Sequence, residues 1–169
     1  MIPTNCKQAL RFDTAWSVVR MSLRIGVMSF CLASCNSAAS TYSPAEITSL
    51  SEARAQWSAL RPERYRITET ISCFCGTEVT RPVIVEVNGQ AVTRRYADDA
   101  TAVPSEFSAL FRTVDELHAF VAESVARPVA SITARYNGIT GVPTFISIDE
   151  YAQSADDEIQ ITVTDFRIR

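Results

Sequence analysis

Cys73-Phe74-Cys75 is the segment whose residue types and spacing best suit unusual chemistry. In a regular strand, residues i and i+2 share a face with Cα atoms about 6.6 Å apart. A disulfide needs Cα atoms roughly 4.4–6.8 Å apart, so a bridge within a strand sits at the edge of feasibility. A bend near Phe74, helped by Gly76, relieves it. The pair is therefore a candidate disulfide. The alternatives are two buried thiols, a redox-active pair, or half of a tetrahedral metal site. Nothing around the pair resembles the C-x-x-C of a thioredoxin-type site ahead of a helix.

The other chemistry-bearing residues point elsewhere. His118 is the only histidine and has no partner at ligand spacing. It flanks an apolar helical stripe, where a histidine is packing or surface more often than a ligand. Asp149, Glu150, Asp156, Asp157 and Glu158 form an acidic stretch without the spacing of a calcium loop. It reads as a solvated loop that also discourages strand-edge association. No G-x-S-x-G, P-loop, H-E-x-x-H or G-x-G-x-x-G occurs, so the expectation is a non-enzyme without cofactor or metal.

Cys35 has a different meaning. Arg20 and Arg24 precede an apolar run from Ile25 to Ala33, and Leu32-Ala33-Ser34-Cys35 follows. A basic region, a short apolar region and small residues before a cysteine have the form of an export signal. The run is about half the 20 residues a membrane-spanning helix requires. The ending looks like a bacterial lipoprotein signal, cleaved between Ser34 and Cys35, with the Cys35 thiol lipidated. Residues 1–34 are expected to be the signal peptide, starting at Met1 or Met21, and residues 35–43 a small, polar tether.

Cleavage changes the charge. Four of the 16 basic residues (Lys7, Arg11, Arg20, Arg24) and one of the 19 acidic residues (Asp13) leave with the leader, so net charge moves from −3 to −6. No lysine remains after residue 34. Phosphates would repel such a chain, which argues against nucleic acid. Attachment to anionic headgroups through a basic patch is equally disfavoured, so the expected membrane contact is the lipid on Cys35. Cys6 and Cys31 leave with the leader, which makes Cys73 and Cys75 the remaining thiols in an oxidising compartment.

Residues 44–169 suffice for one domain. Ser43-Pro44-Ala45-Glu46 reads as a capping box opening a first helix, with Ile47, Leu50, Ala53, Trp57 and Leu60 on one face and Pro62 as its stop. Tyr65, Ile67, Ile71 and Cys73 suggest a strand of imperfect alternation. Val83, Val85 and Val87, then Asn88-Gly89 and a return through Ala91 and Val92, read as a hairpin. Residues 97–112 look like loop with a short helical turn. Thr113-Val114-Asp115-Glu116 caps a second helix carrying Val114, Leu117, Val121 and Val125. Ile132 to Tyr136, Phe145 to Ile148, and Ile159 to Phe166 supply three more strands. The expected fold is α+β: an antiparallel sheet of about five to six strands with two helices on one face, in the order helix, three strands, helix, three strands.

Taken in order, these motifs carry a resemblance. Trp57 to Tyr65, Cys73-x-Cys75, Val83 to Val87 with Asn88-Gly89, Thr113 to Leu117, Tyr136 to Pro143, and Asp156-Asp157-Glu158 running to Asp165-Phe166 resemble a family of secreted bacterial proteins. It is known as domain-of-unknown-function family number six-one-seven-four. The resemblance covers roughly residues 50–167 and implies a small α+β envelope domain, often lipid-anchored, with no catalytic residues to transfer. Asn36 after Cys35 resembles lipoproteins sent to an outer membrane, where one exists. The functional expectation is a lipid-anchored, non-enzymatic envelope domain, facing the periplasm or outer surface, that binds another envelope component, an envelope protein among the candidates. The alternatives are a thiol redox protein or a metal-binding module using Cys73 and Cys75.

Overall fold

The computed structural model describes residues 46–154 and 156–169. The leader, Ser34, Cys35 and the tether lie outside them. The described elements run β1 (Glu46–Ile47), α1 (Leu50–Leu60), β2 (Arg64–Ser72), α2 (Thr77–Thr80), β3 (Val83–Asn88), β4 (Ala91–Tyr96), α3 (Ser105–Ser108), α4 (Val114–Val125), β5 (Ser131–Asn137), β6 (Pro143–Asp149) and β7 (Ile159–Ile168). The strands form one sheet in the order β1-β5-β6-β7-β2-β3-β4, antiparallel at every pairing.

The antiparallel α+β expectation holds, its six strands included, and the helices bring one correction. Six full strands build the sheet, and two-residue β1 extends it to seven. Two single-turn helices, α2 and α3, join the two long ones, so the order is not a plain helix, three strands, helix, three strands.

The first helix also starts later than Ser43. Glu46 and Ile47 pair with Asn137 and Tyr136 of β5, which holds this segment extended. The helix opens at Leu50, capped by Ser49, whose hydroxyl accepts from Glu52 N–H at 3.3 Å.

Register places the apolar side chains together. Ile67 stands opposite Val85 and Glu69 opposite Val83. Across β7, Val163 faces Glu69 and Ile161 faces Ile71. Ile146 then faces Ile161 across β6. Residues directly opposite share a sheet face, so these side chains form one surface, apolar except for Glu69. Trp57 from α1 and Leu117 and Val121 from α4 join the same core. Val125, expected on that apolar face, is exposed at the end of α4.

β7 is irregular where its alternation fades. Arg66 pairs with Arg167 but Thr68 with Thr164, so Asp165 and Phe166 together oppose Ile67. This is a β-bulge, and Asp165 takes a left-handed φ of 52°. The extra residue brings the Phe166 ring to 6.0 Å from both Trp57 and Tyr65.

Candidate functional site

The Cys73–Cys75 pair lies just beyond the last residue of β2, Ser72. The two sulfurs are bonded, and the Cα atoms are 5.2 Å apart. That is shorter than the roughly 6.6 Å of i and i+2 in a strand, because the chain bends here. Cys75 N–H also donates to Cys73 C=O at 2.8 Å, closing the same turn. Phe74, at its tip, is 85% exposed. Immediately afterwards α2 buries Val79, which ties the turn back to the core.

The acidic stretch comes to the same end of the sheet. Ser72 pairs with Gln160. Ser72, Cys73, Phe74, Asp156, Glu158 and Gln160 border a cavity of about 230 Å³. Asp157 has a different job: its Oδ2 accepts from Tyr151 N–H at 2.6 Å and pins the loop between β6 and β7. Glu150 pairs with Arg127 at 3.0 Å. The stretch is thus partly built into the fold, beyond the solvated loop read from sequence.

A larger cavity, about 580 Å³, lies at the opposite end, between the β3–β4 turn and the N-terminus of α4. Its walls include Trp57, Tyr65, Arg61, Gln90, Asp115 and Glu116. Several of these polar groups are engaged within the fold. Trp57 Nε1–H donates to Asp115 at 3.2 Å, and Tyr65 Oη accepts from Val114 N–H at 3.2 Å. Glu116 completes the capping box expected with Thr113 and also pairs with Arg94 at 3.3 Å.

Glu69 was not singled out in the sequence, yet it is fully buried in the core face of β2. Its Oε2 accepts from Arg112 N–H at 2.8 Å, while Oε1 has no partner among the described residues. Burial pushes its pKa up to about 8, against the opposing pull of the Arg112 amide and of Arg112 and Arg94. The sequence signal was the broken alternation in Tyr65-Ile67-Glu69-Ile71.

His118 is buried, and its Nε2 is hydrogen-bonded to Gly141 C=O at 2.9 Å. Burial lowers its pKa. It packs against Tyr136 and is remote from the cysteine pair. Among the described residues no group of three His, Cys, Asp or Glu side chains is arranged to hold a metal. Cys35 and Ser34 lie outside the described residues.

No curated protein matches this chain, and neither does any solved structure. A family model described as "Family of unknown function (DUF6174)" matches residues 49–168, which takes in every described element except β1. By that match the chain belongs to this family of unknown function.

Proposed function

We propose that this protein is a lipid-anchored, non-enzymatic domain of the cell envelope that binds another envelope component. In this reading residues 1–34 direct export, Cys35 carries the lipid, and an outer membrane, where the cell has one, holds the domain facing the periplasm. The observation that supports binding is Phe74, a large apolar side chain 85% exposed at the tip of a disulfide-closed turn. An exposed aromatic on a constrained turn loses little conformational freedom when a partner covers it.

Two measurements test the reading. Palmitate labelling is expected in the wild type and absent in Cys35→Ser. Affinity purification from detergent-solubilised envelopes is expected to recover a partner that Phe74→Ala loses. Failure to recover any partner that depends on Phe74 would overturn the binding role.

A thiol redox role is the second reading, favoured by the position of the bridge at an exposed end of the sheet. Intact-mass measurement after exposure to millimolar glutathione separates the two. An exchanging pair is reduced, and a bridge that persists removes the redox reading. A metal held by the same cysteines would first require the bridge to be reduced.

A further inference from the structure

The cysteine turn and the tether's point of attachment lie at opposite ends of the sheet. Glu46 pairs with Asn137, the last residue of β5. Ser131, the first, faces Asp149, and from there Ile148 faces Ile159 and Gln160 faces Ser72. The length of β5 therefore separates the two ends, about 20 Å at 3.4 Å per residue. The chain leading from Cys35 enters the sheet at the Glu46 end.

Charge at that far end is uneven. Asp98 and Asp99 are both occupied by Arg81, at 2.5 Å and 2.9 Å, and Glu150 is occupied by Arg127. Asp156 and Glu158, which border the 230 Å³ cavity beside Phe74, make no ion pair or hydrogen bond among the described residues. An exposed ring next to two unneutralised carboxylates suits a cation. The ring face attracts it, and the carboxylates match its charge.

We infer that this end of the sheet docks a basic segment of a protein partner, with a lysine or arginine side chain entering between the Phe74 ring and the carboxylates of Asp156 and Glu158. The inference rests on the envelope-binding reading and gives that partner its chemistry. The bridge and the Cys75 N–H bond fix the turn that presents Phe74, so the ring waits near its bound position. Two carboxylates without a counter-ion among the described residues attract a basic peptide and repel anionic headgroups, which selects a protein segment over a lipid surface as occupant.

The test uses the full lipidated chain in detergent micelles and two fluorescent probe peptides, one alternating leucine with arginine and the other leucine with glutamate. The arginine peptide is expected to bind, and added salt to weaken it. Phe74→Ala should weaken it by about threefold, the scale of an exposed cation–π contact. The D156N/E158Q double variant should weaken it by roughly tenfold. Gln90→Ala, at the opposite end, should leave it unchanged, and near-ultraviolet circular dichroism should confirm that each variant is folded. Equal binding of the glutamate peptide, or wild-type affinity in both site variants, overturns the inference.

A second arm asks whether lipid covers the site. Phe74→Trp protein is placed in vesicles containing brominated phosphatidylcholine. Unquenched emission from position 74 is expected, and quenching would assign the site to the membrane and overturn the inference. Cys35 labelling is scored separately, so loss of the anchor with retained peptide binding removes the anchored reading and leaves the docking site standing.

Discussion

A β-carbon on Gly141 would run into the backbone carbonyl of Ala53 and stand 2.8 Å from the amide nitrogen of Trp57. Helix α1 therefore rests backbone to backbone on the β5–β6 turn. Gly141 also has a φ of 71°, which L side chains rarely adopt. Gly141→Ala is expected to destabilise by roughly 2–4 kcal/mol through strain and overlap combined. Gly89→Ala shares the positive φ but meets nothing within 4 Å, and should cost only about 1 kcal/mol. Urea midpoints at unchanged slope check both; equal losses would mean the contact with α1 carries no weight.

Glu69 sets a pH dependence of stability. Its ordinary carboxyl value of 4.5 rises to about 8 in the folded chain. Between those values the unfolded chain releases a proton that the native state keeps, so stability falls as pH rises through this window. Glu69→Gln keeps a carbonyl acceptor for Arg112 N–H and does not titrate. The variant should gain stability relative to wild type toward pH 8, by an amount on the order of a few kcal/mol. Parallel pH profiles for the two proteins would show that Glu69 ionises freely.

The N-terminus of α4 is held from two directions. Thr113 Oγ1 accepts from Glu116 N–H at 3.3 Å, and Tyr65 Oη accepts from Val114 N–H at 3.2 Å. Thr113→Ala should cost about 1 kcal/mol, the usual scale of a lost cap. Tyr65→Phe leaves a buried N–H without its acceptor and should cost about 1–2 kcal/mol. Both changes act on the same helix end, so the double variant should lose less than the two losses added together. Strict additivity in thermal or urea unfolding would show the two contacts to be independent.

The Cys73–Cys75 bridge closes a minimal loop. Chain-entropy arguments scale with loop length, so this one contributes only about 1.5 kcal/mol. C73S/C75S should therefore stay folded with a modestly lowered urea midpoint, while Phe74→Ala changes stability by less than about 0.5 kcal/mol. A collapse of the fold in either variant would assign the turn a structural role that its exposure does not suggest.

Sequence reading reached the elements whose signals are local. The Thr113 capping box, the Asn88-Gly89 hairpin and the Val83-Val85-Val87 face all stand where short-range rules put them. It failed where a distant partner decides. Ser43-Pro44-Ala45-Glu46 has the form of a helix start, but Ile47 is claimed by Tyr136, some ninety residues away, and the Ser49 hydroxyl does the capping. Val163 ended the clean alternation because a bulge follows at Asp165. The site was half legible. Cys73 and Cys75 announced themselves, but the proximity of Asp156 and Glu158 to Phe74 depends on β7 lying beside β2, which no local pattern encodes.

Two-residue β1 has a mechanical consequence. Among the described residues it is the first paired segment from the N-terminal side, and it pairs through Glu46–Asn137 and Ile47–Tyr136. Under tension those pairings would peel before α1 is stressed. Releasing residues 46–49 would lengthen the leash by about 14 Å at full extension. Next in line is the seat of α1 on Gly141, a backbone contact within the core. A pull on the chain before Glu46 would therefore load this short edge pairing ahead of the six-stranded sheet.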